Sequence, residues 1–157
     1  MPIREGEKIP AVTLKTQDMK DITTEELFGG KKVVLFAVPG AFTPTCSEQH
    51  LPGFIEHADE IRAKGVDDIV CVSVNDAFVM KAWGKDRGAE GKVTMIADGN
   101  GDLTKALGLD FDGSGIGFGL RSQRYAAIVE DGVVKKLAVE KPSKFEVSSA
   151  EAILKAL

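Results

Sequence analysis

Val33-Val34-Leu35-Phe36-Ala37-Val38-Pro39-Gly40-Ala41-Phe42-Thr43-Pro44-Thr45-Cys46-Ser47 runs from six consecutive apolar residues into a stretch punctuated by two prolines and a glycine, and then into helical spacing. An apolar run without polar breaks reads as a central strand covered on both faces, where strict alternation is not required. Ile69-Val70-Cys71-Val72-Ser73-Val74 has the same character, and Val93 to Ala97 is a third candidate. Between these strands, Ser47 to Lys64 and Asp76 to Arg87 have the spacing and length of helices, so the middle of the chain reads as βαβαβ around a parallel sheet. The end differs in kind. Tyr125 to Glu130 and Val133 to Val139 flank Asp131-Gly132, a two-residue signal for an antiparallel hairpin, which makes the sheet mixed. A last helix, Ser149 to Leu157, is announced by Ser148 with Glu151 three residues on, a capping-box spacing also found at Thr23 and Glu26. The expected fold class is α/β, with a mixed central sheet flanked by helices on both faces. No repeat or linker divides residues 1–157, so one domain is expected.

Composition narrows the function classes. A chain of 157 residues is long enough to bury one core without staples. Its net charge of -4, with no basic block, gives no electrostatic footprint for nucleic acid. No apolar run approaches the length of a membrane span, and Met1-Pro2-Ile3-Arg4-Glu5-Gly6 lacks the charged-then-apolar layout of a secretory signal. A cytoplasmic location with no membrane partner is the expectation, with import from a longer precursor left open. Cys46 and Cys71 are too few cysteines for a disulfide-rich scaffold and suit a reducing compartment, where a cysteine is catalytic, metal-bound or merely buried.

Cys46 stands out by position. Pro44 cannot continue a strand and biases Thr43 towards extended backbone, so the corner is stiff and a helix starts within a residue or two of Cys46. Unpaired N–H groups and the positive end of the helix dipole favour a thiolate there, which makes Cys46 a nucleophile at neutral pH. Thr43 is three residues earlier and could turn its hydroxyl to the sulfur as both donor and acceptor. Attack on a peroxide is an in-line displacement whose departing oxygen needs fixed donors, and an arginine suits that need because its guanidinium stays charged and donates to two partners at once.

Pro39, Thr43 and Cys46 together satisfy Pro-x-x-x-Thr-x-x-Cys, and this resembles the active-site signature of the peroxiredoxins. Pro39-Gly-Ala-Phe-Thr-Pro-Thr-Cys46, His50-Leu-Pro-Gly-Phe54, Cys71-Val-Ser-Val-Asn-Asp-Ala-Phe-Val79 and Ala82-Trp83-Gly84 are similar to the type II, or peroxiredoxin-five-like, subfamily, with the likeness weakening from about Val139 onward. The resemblance implies a thioredoxin-like fold and reduction of hydrogen peroxide and alkyl hydroperoxides by a peroxidatic Cys46 with a hydrogen-bonding Thr43. Pro39 would shield the thiolate. It also implies an active-site arginine directly before the aromatic that opens the hairpin strand, which selects Arg124 before Tyr125, with Arg121 as the fallback. Gly40, Phe42, Thr45, His50 and Phe118 are the expected surroundings of the substrate. Some of the aromatic residues Phe42, Trp83 and Phe118 would line the interface of a non-covalent homodimer.

Oxidation leaves Cys46 as a sulfenic acid that must meet a thiol before further peroxide drives it to sulfinic acid. Some type II relatives carry a resolving cysteine near the C-terminus, but Lys136 to Leu157 contains none. Cys71 is the one internal candidate, and its apolar strand would keep it protonated and hard to reach. This favours an external thiol, through a mixed disulfide at Cys46. The resemblance to members without the C-terminal cysteine implies that glutathione with glutaredoxin, or thioredoxin, supplies it, with no bound cofactor. An intramolecular Cys46–Cys71 disulfide stays open as the alternative, as does a redox sensor or holdase without sustained turnover.

Three other patterns carry less. Cys46 and His50 share a helix face at a spacing of four, but a zinc site needs more ligands than Cys71 and His57 can add, so no metal is expected. Asp98, Asn100 and Asp102 imitate the start of a calcium loop, yet Leu103 stands where its glycine belongs. Gly113-Ser-Gly-Ile-Gly-Phe-Gly119 matches no phosphate-loop spacing and reads as a flexible loop near Arg124.

Overall fold

The computed structural model describes residues 2–157. In chain order it contains β1 (Thr13–Thr16), β2 (Asp21–Thr23), α1 (Thr24–Phe28), β3 (Lys32–Val38), a π-helical turn (Cys46–His50), α2 (Leu51–Glu56), α3 (Ala58–Ala63), β4 (Asp68–Ser73) and α4 (Ala77–Arg87). Then come β5 (Thr94–Ala97), α5 (Asp102–Ala106), β6 (Asp110–Asp112), a 3-10 turn (Ser114–Ile116), β7 (Leu120–Ser122), β8 (Tyr125–Glu130), β9 (Val133–Val139) and α6 (Ala150–Ala156). Seven strands form one sheet in the order β2-β1-β5-β4-β3-β8-β9, with β3, β4 and β5 parallel and the rest antiparallel to their neighbours. This is the mixed sheet the apolar runs and the hairpin signal imply.

Successive side chains of a strand point to opposite faces, and the core divides accordingly. Val34, Phe36 and Val38 of β3, Ile69 and Cys71 of β4, and Ala126 and Ile128 of β8 face α2, α3, α4 and α6. Val33, Leu35 and Ala37, with Val70, Val72, Ala127 and Val129, face α1 and α5. Burial on both sides explains why the central strands lack alternation. The hairpin turns on Asp131 (φ 48°) and Gly132 (φ 78°), both in the left-handed region that a two-residue turn demands. Thr23 caps α1 through the reciprocal box with Glu26.

Two boundaries differ from the expectation. The segment 47–64 is not one helix. A turn with i→i+5 bonding spans Cys46–His50, and the helix breaks again at His57 between α2 and α3. Pro52 accounts for the wide turn, because it has no N–H to offer the Glu48 carbonyl and its ring crowds that oxygen. The cap of α6 is Ser149, whose side chain accepts from the Ala152 N–H, while Ser148 is buried with its hydroxyl donated to Glu140.

The loop 113–119 joins β6 to β7, which pair as a second, two-stranded sheet. The Asp98 carboxylate accepts from the Leu103 and Thr104 N–H groups and the Thr104 hydroxyl, so it caps the start of α5. No helix among the described residues is long and apolar enough to cross a membrane.

Candidate active site

The corner after β3 sits at the C-terminal ends of the parallel strands, where open α/β sheets leave a crevice. The end of β4 supplies its anchor: Asn75 Oδ1 accepts from the Ala41 N–H at 3.0 Å and takes the single Ser73 hydroxyl proton at 2.6 Å, with the Val38 carbonyl 3.3 Å from the same hydroxyl. Phe42 turns the chain at φ 65°, a left-handed conformation that costs a non-glycine residue about 1–2 kcal/mol. Helical backbone begins at Pro44, whose missing N–H is harmless in a first turn. Cys46 is therefore in the first turn, with its carbonyl accepting from the Leu51 N–H across the π turn.

Arg124, at the mouth of β8, reaches this turn from the neighbouring strand. Its Nη2 donates to Cys46 Sγ at 3.0 Å, and its Nη1 donates to His50 Nδ1 at 2.9 Å. The other ring nitrogen, Nε2, lies 2.9 Å from the Ser148 carbonyl, which can only accept. His50 thus carries its proton on Nε2 and offers the Nδ1 lone pair to the guanidinium. Burial, and then the Arg124 charge, push His50 down to about 3, so the ring is neutral. Phe36 (4.9 Å between centroids), Phe54 (5.6 Å) and Phe145 (5.0 Å) enclose it.

Arg121 engages the same corner from a different side. Its Nε donates to the Phe118 carbonyl at 3.0 Å, its Nη1 reaches the Pro39 carbonyl at 3.4 Å, and its guanidinium lies 5.1 Å from the Phe118 ring centre. A β-carbon on Gly40 would come within 3.0 Å of Arg121 Nη1 and 3.2 Å of Thr43 Cγ2, which explains a glycine there. The two arginines competing for one role divide the corner instead: Arg124 touches the sulfur and Arg121 touches Pro39.

The Thr43 hydroxyl donates to the Gly40 carbonyl at 2.7 Å, so its lone pairs, not its proton, are free to face an incoming group. Thr45 and Pro39 are half-buried, Phe42 is 51% exposed with its ring 6.4 Å from Trp83, and Cys46 and His50 are fully buried. His50 therefore backs the site instead of lining it. Ser47 accepts the Trp83 indole N–H at 2.8 Å, fastening the helix start to α4. Cys71 is paired in register with Phe36 and faces the same side of the sheet as Cys46. Burial and the neighbouring Cys46 push its thiol well up, so it stays protonated. Both ring nitrogens of His57 are taken by Glu60 (2.9 Å) and Glu151 (3.1 Å).

Two contributors escaped the sequence reading. Phe145 packs against His50 and lies 5.8 Å from the Arg124 guanidinium, but a lone aromatic in a polar loop carries no signature of that task. The Ser148 carbonyl is a backbone group, invisible to any motif.

Known proteins resemble this chain along nearly its whole length. The Redoxin family model matches residues 4–154. Peroxiredoxin-2E, chloroplastic, of Arabidopsis thaliana is 52% identical over 159 residues, covering 97% of this chain and 68% of that protein. Peroxiredoxin-2B of the same plant is 50% identical over 160 residues, with 99% of each covered. The solved structure of reduced Prx3 from Vibrio vulnificus in complex with H2O2 is 61% identical and superposes with a TM-score of 0.95 over 99% of both chains. With a cysteine at the head of a helix, an arginine on its sulfur and relatives of this closeness along nearly the whole chain, the protein belongs to the peroxiredoxins of the type II, peroxiredoxin-five-like kind and is a thiol-dependent peroxidase.

Proposed function

We propose that Cys46 is the peroxidatic nucleophile and that Arg124 is its catalytic partner, and the observation that carries this is the 3.0 Å contact from Arg124 Nη2 to Cys46 Sγ. A guanidinium donating to sulfur favours the negatively charged form, and the same cation can donate to the peroxide. The sulfur attacks one peroxide oxygen, an S–O bond forms as the O–O bond breaks, and the departing oxygen leaves with the electron pair and takes a proton to become water or an alcohol. Arg124 and the Cys46 N–H at the helix head stabilise the developing charge. Thr43 accepts from the peroxide O–H with the lone pairs its bond to Gly40 leaves free. Pro39, held through its carbonyl by Arg121, shields the sulfur from water. Gly40, Phe42, Thr45 and Phe118 border the approach, with His50 behind Arg124.

The sulfenic acid is regenerated by an external thiol. One thiol condenses with it to a mixed disulfide and water, and a second releases Cys46 and leaves as the disulfide. Glutathione with glutaredoxin, or thioredoxin, supplies these thiols, and no bound cofactor takes part. The raised, buried thiol of Cys71 supports a structural role over a resolving one. Exposed Phe42 (51%) and Phe78 (70%) support a non-covalent homodimer that covers them beside the corner. A reducing compartment such as the cytoplasm suits this cycle.

The test is hydrogen peroxide consumption with glutathione and glutaredoxin, and with thioredoxin and its reductase, for wild type, Cys46→Ser and Cys71→Ser. Loss in Cys46→Ser with sustained turnover in Cys71→Ser is expected. A Cys71→Ser enzyme that stops after one turnover would make Cys71 the resolving thiol.

A further inference from the structure

Behind Arg124 the polar contacts continue into a segment to which the chemistry above gives no task. Glu140 directly follows β9 and is 7% exposed. Its Oε2 accepts from the N–H groups of Glu146 (2.7 Å), Val147 (2.8 Å) and Ser148 (2.8 Å) and from the Ser148 hydroxyl (2.7 Å). Its own N–H donates to the Arg124 carbonyl at 2.9 Å. One carboxylate oxygen therefore gathers the end of the 141–148 loop back onto the first residues of β8.

The contacts close on themselves. The Ser148 carbonyl accepts from His50 Nε2, His50 Nδ1 accepts from Arg124 Nη1, and the backbone of Arg124 returns to Glu140. Arg124 Nη2 leaves this ring to reach Cys46 Sγ. Lys141, Pro142, Ser143 and Lys144 are exposed, so on its loop side Ser148 is held by Glu140 and by the packing of Phe145 against His50, and on its other side by Ser149 and buried Ala150 at the head of α6.

We propose that Glu140 is a positioning residue for peroxide reduction: by fixing the Ser148 carbonyl it sets the His50 tautomer, and through that ring it aims the Arg124 guanidinium at the sulfur. The inference rests on Cys46 and Arg124 acting as proposed above. A carboxylate suits the position because all its partners are donors, whereas an amide would bring two donors of its own into the same nest. Burial alone would raise the Glu140 carboxyl, but the bonds from Ser148, Glu146 and Val147 outweigh it and hold the group below the usual carboxylate range.

The experiment has two parts. In the wild-type protein, nitrogen-15 NMR of the histidine side chains should find His50 neutral with its proton on Nε2; a proton on Nδ1 would overturn the proposal with no activity assay needed. In Glu140→Gln, the midpoint of the pH profile for Cys46 alkylation should move up by about one unit and the single-turnover rate constant with hydrogen peroxide should fall about tenfold at neutral pH. A Glu140→Gln protein that melts earlier but keeps the wild-type alkylation profile and rate would make the residue a loop fastener only, and the proposal fails. If Glu140→Gln does not fold, Glu140→Asp replaces it: the shorter carboxylate cannot reach all four donors, so the midpoint should again rise, and an unchanged one overturns the proposal. Cys46→Ser run alongside separates the two levels, since peroxide reduction surviving in it would sink the nucleophile assignment and leave the His50 result standing.

Discussion

The indole N–H of Trp83 donates to the hydroxyl of Ser47, one residue past the nucleophile, and both side chains are buried. An apolar helix face on α4 thereby holds the first turn that carries Cys46. Ser47→Ala leaves the indole donor without a partner and should cost about 1–3 kcal/mol, read from urea or thermal unfolding. Trp83→Phe removes the donor but opens a cavity, so the double variant should lose less than the sum of the two single losses.

Arg124→Lys is the sharper test of the sulfur contact. A lysine has one charged nitrogen and cannot serve His50 Nδ1 and Cys46 Sγ from the two arms of a planar fork. The rate constant with hydrogen peroxide should fall by about 10²–10³, the scale of losing an oriented donor in a transition-state site, while far-UV circular dichroism stays unchanged. A loss below threefold in stopped-flow peroxide reduction would refute the assignment.

Gly40→Ala puts a methyl against Arg121 Nη1 at 3.0 Å and Thr43 Cγ2 at 3.2 Å. The guanidinium must give way, so stability should drop by about 1–3 kcal/mol and peroxidase activity should drop with it. Arg121→Ala in the same chain makes room, and part of the stability loss should return. Full additivity of the two changes would show that they do not meet.

The two histidines should pull stability in opposite directions with pH. His50 is held at about 3 when folded against an ordinary 6.5, so between these values the unfolded chain binds the extra proton and stability falls as pH falls. His57 is raised, first by its bond to Glu60 and further by Glu151, so its contribution is present in acid and lost as pH rises through its folded value. Melting temperatures from pH 4 to 8 should show a flatter acid limb in His50→Gln and a smaller loss on the neutral side in His57→Gln. The Glu60 and Glu151 carboxylates that pair with His57 are largely solvated, so the second effect is the smaller one.

How much of this was legible in the sequence follows from how local each signal is. The apolar runs of β3 and β4, the Asp131-Gly132 turn and the Thr23–Glu26 box are written within a few adjacent residues, and each reappears in the structure. β1, β2, β6 and β7 are three or four residues long and mix polar with apolar side chains, so no periodicity could mark them. Ser148 and Ser149 both stand before an acidic residue, and burial of the first against Glu140 decides which one caps. The meeting of Cys46 with Arg124 is implied only by family resemblance, because the two are 78 residues apart and only the sheet order brings them together.

That sheet order has a consequence for how the chain can vary. β8 runs antiparallel to β3 with Tyr125 opposite Ala37, so the residue before β8 arrives where β3 runs out into the corner. A slip of two residues would keep every side chain on its face and nearly all the burial, yet it would carry Arg124 about 7 Å along the strand and off the sulfur. The backbone ladder between β3 and β8 is thus the gauge that sets the sulfur–guanidinium spacing. A protein misregistered at this one seam would be folded, compact and inert towards peroxide.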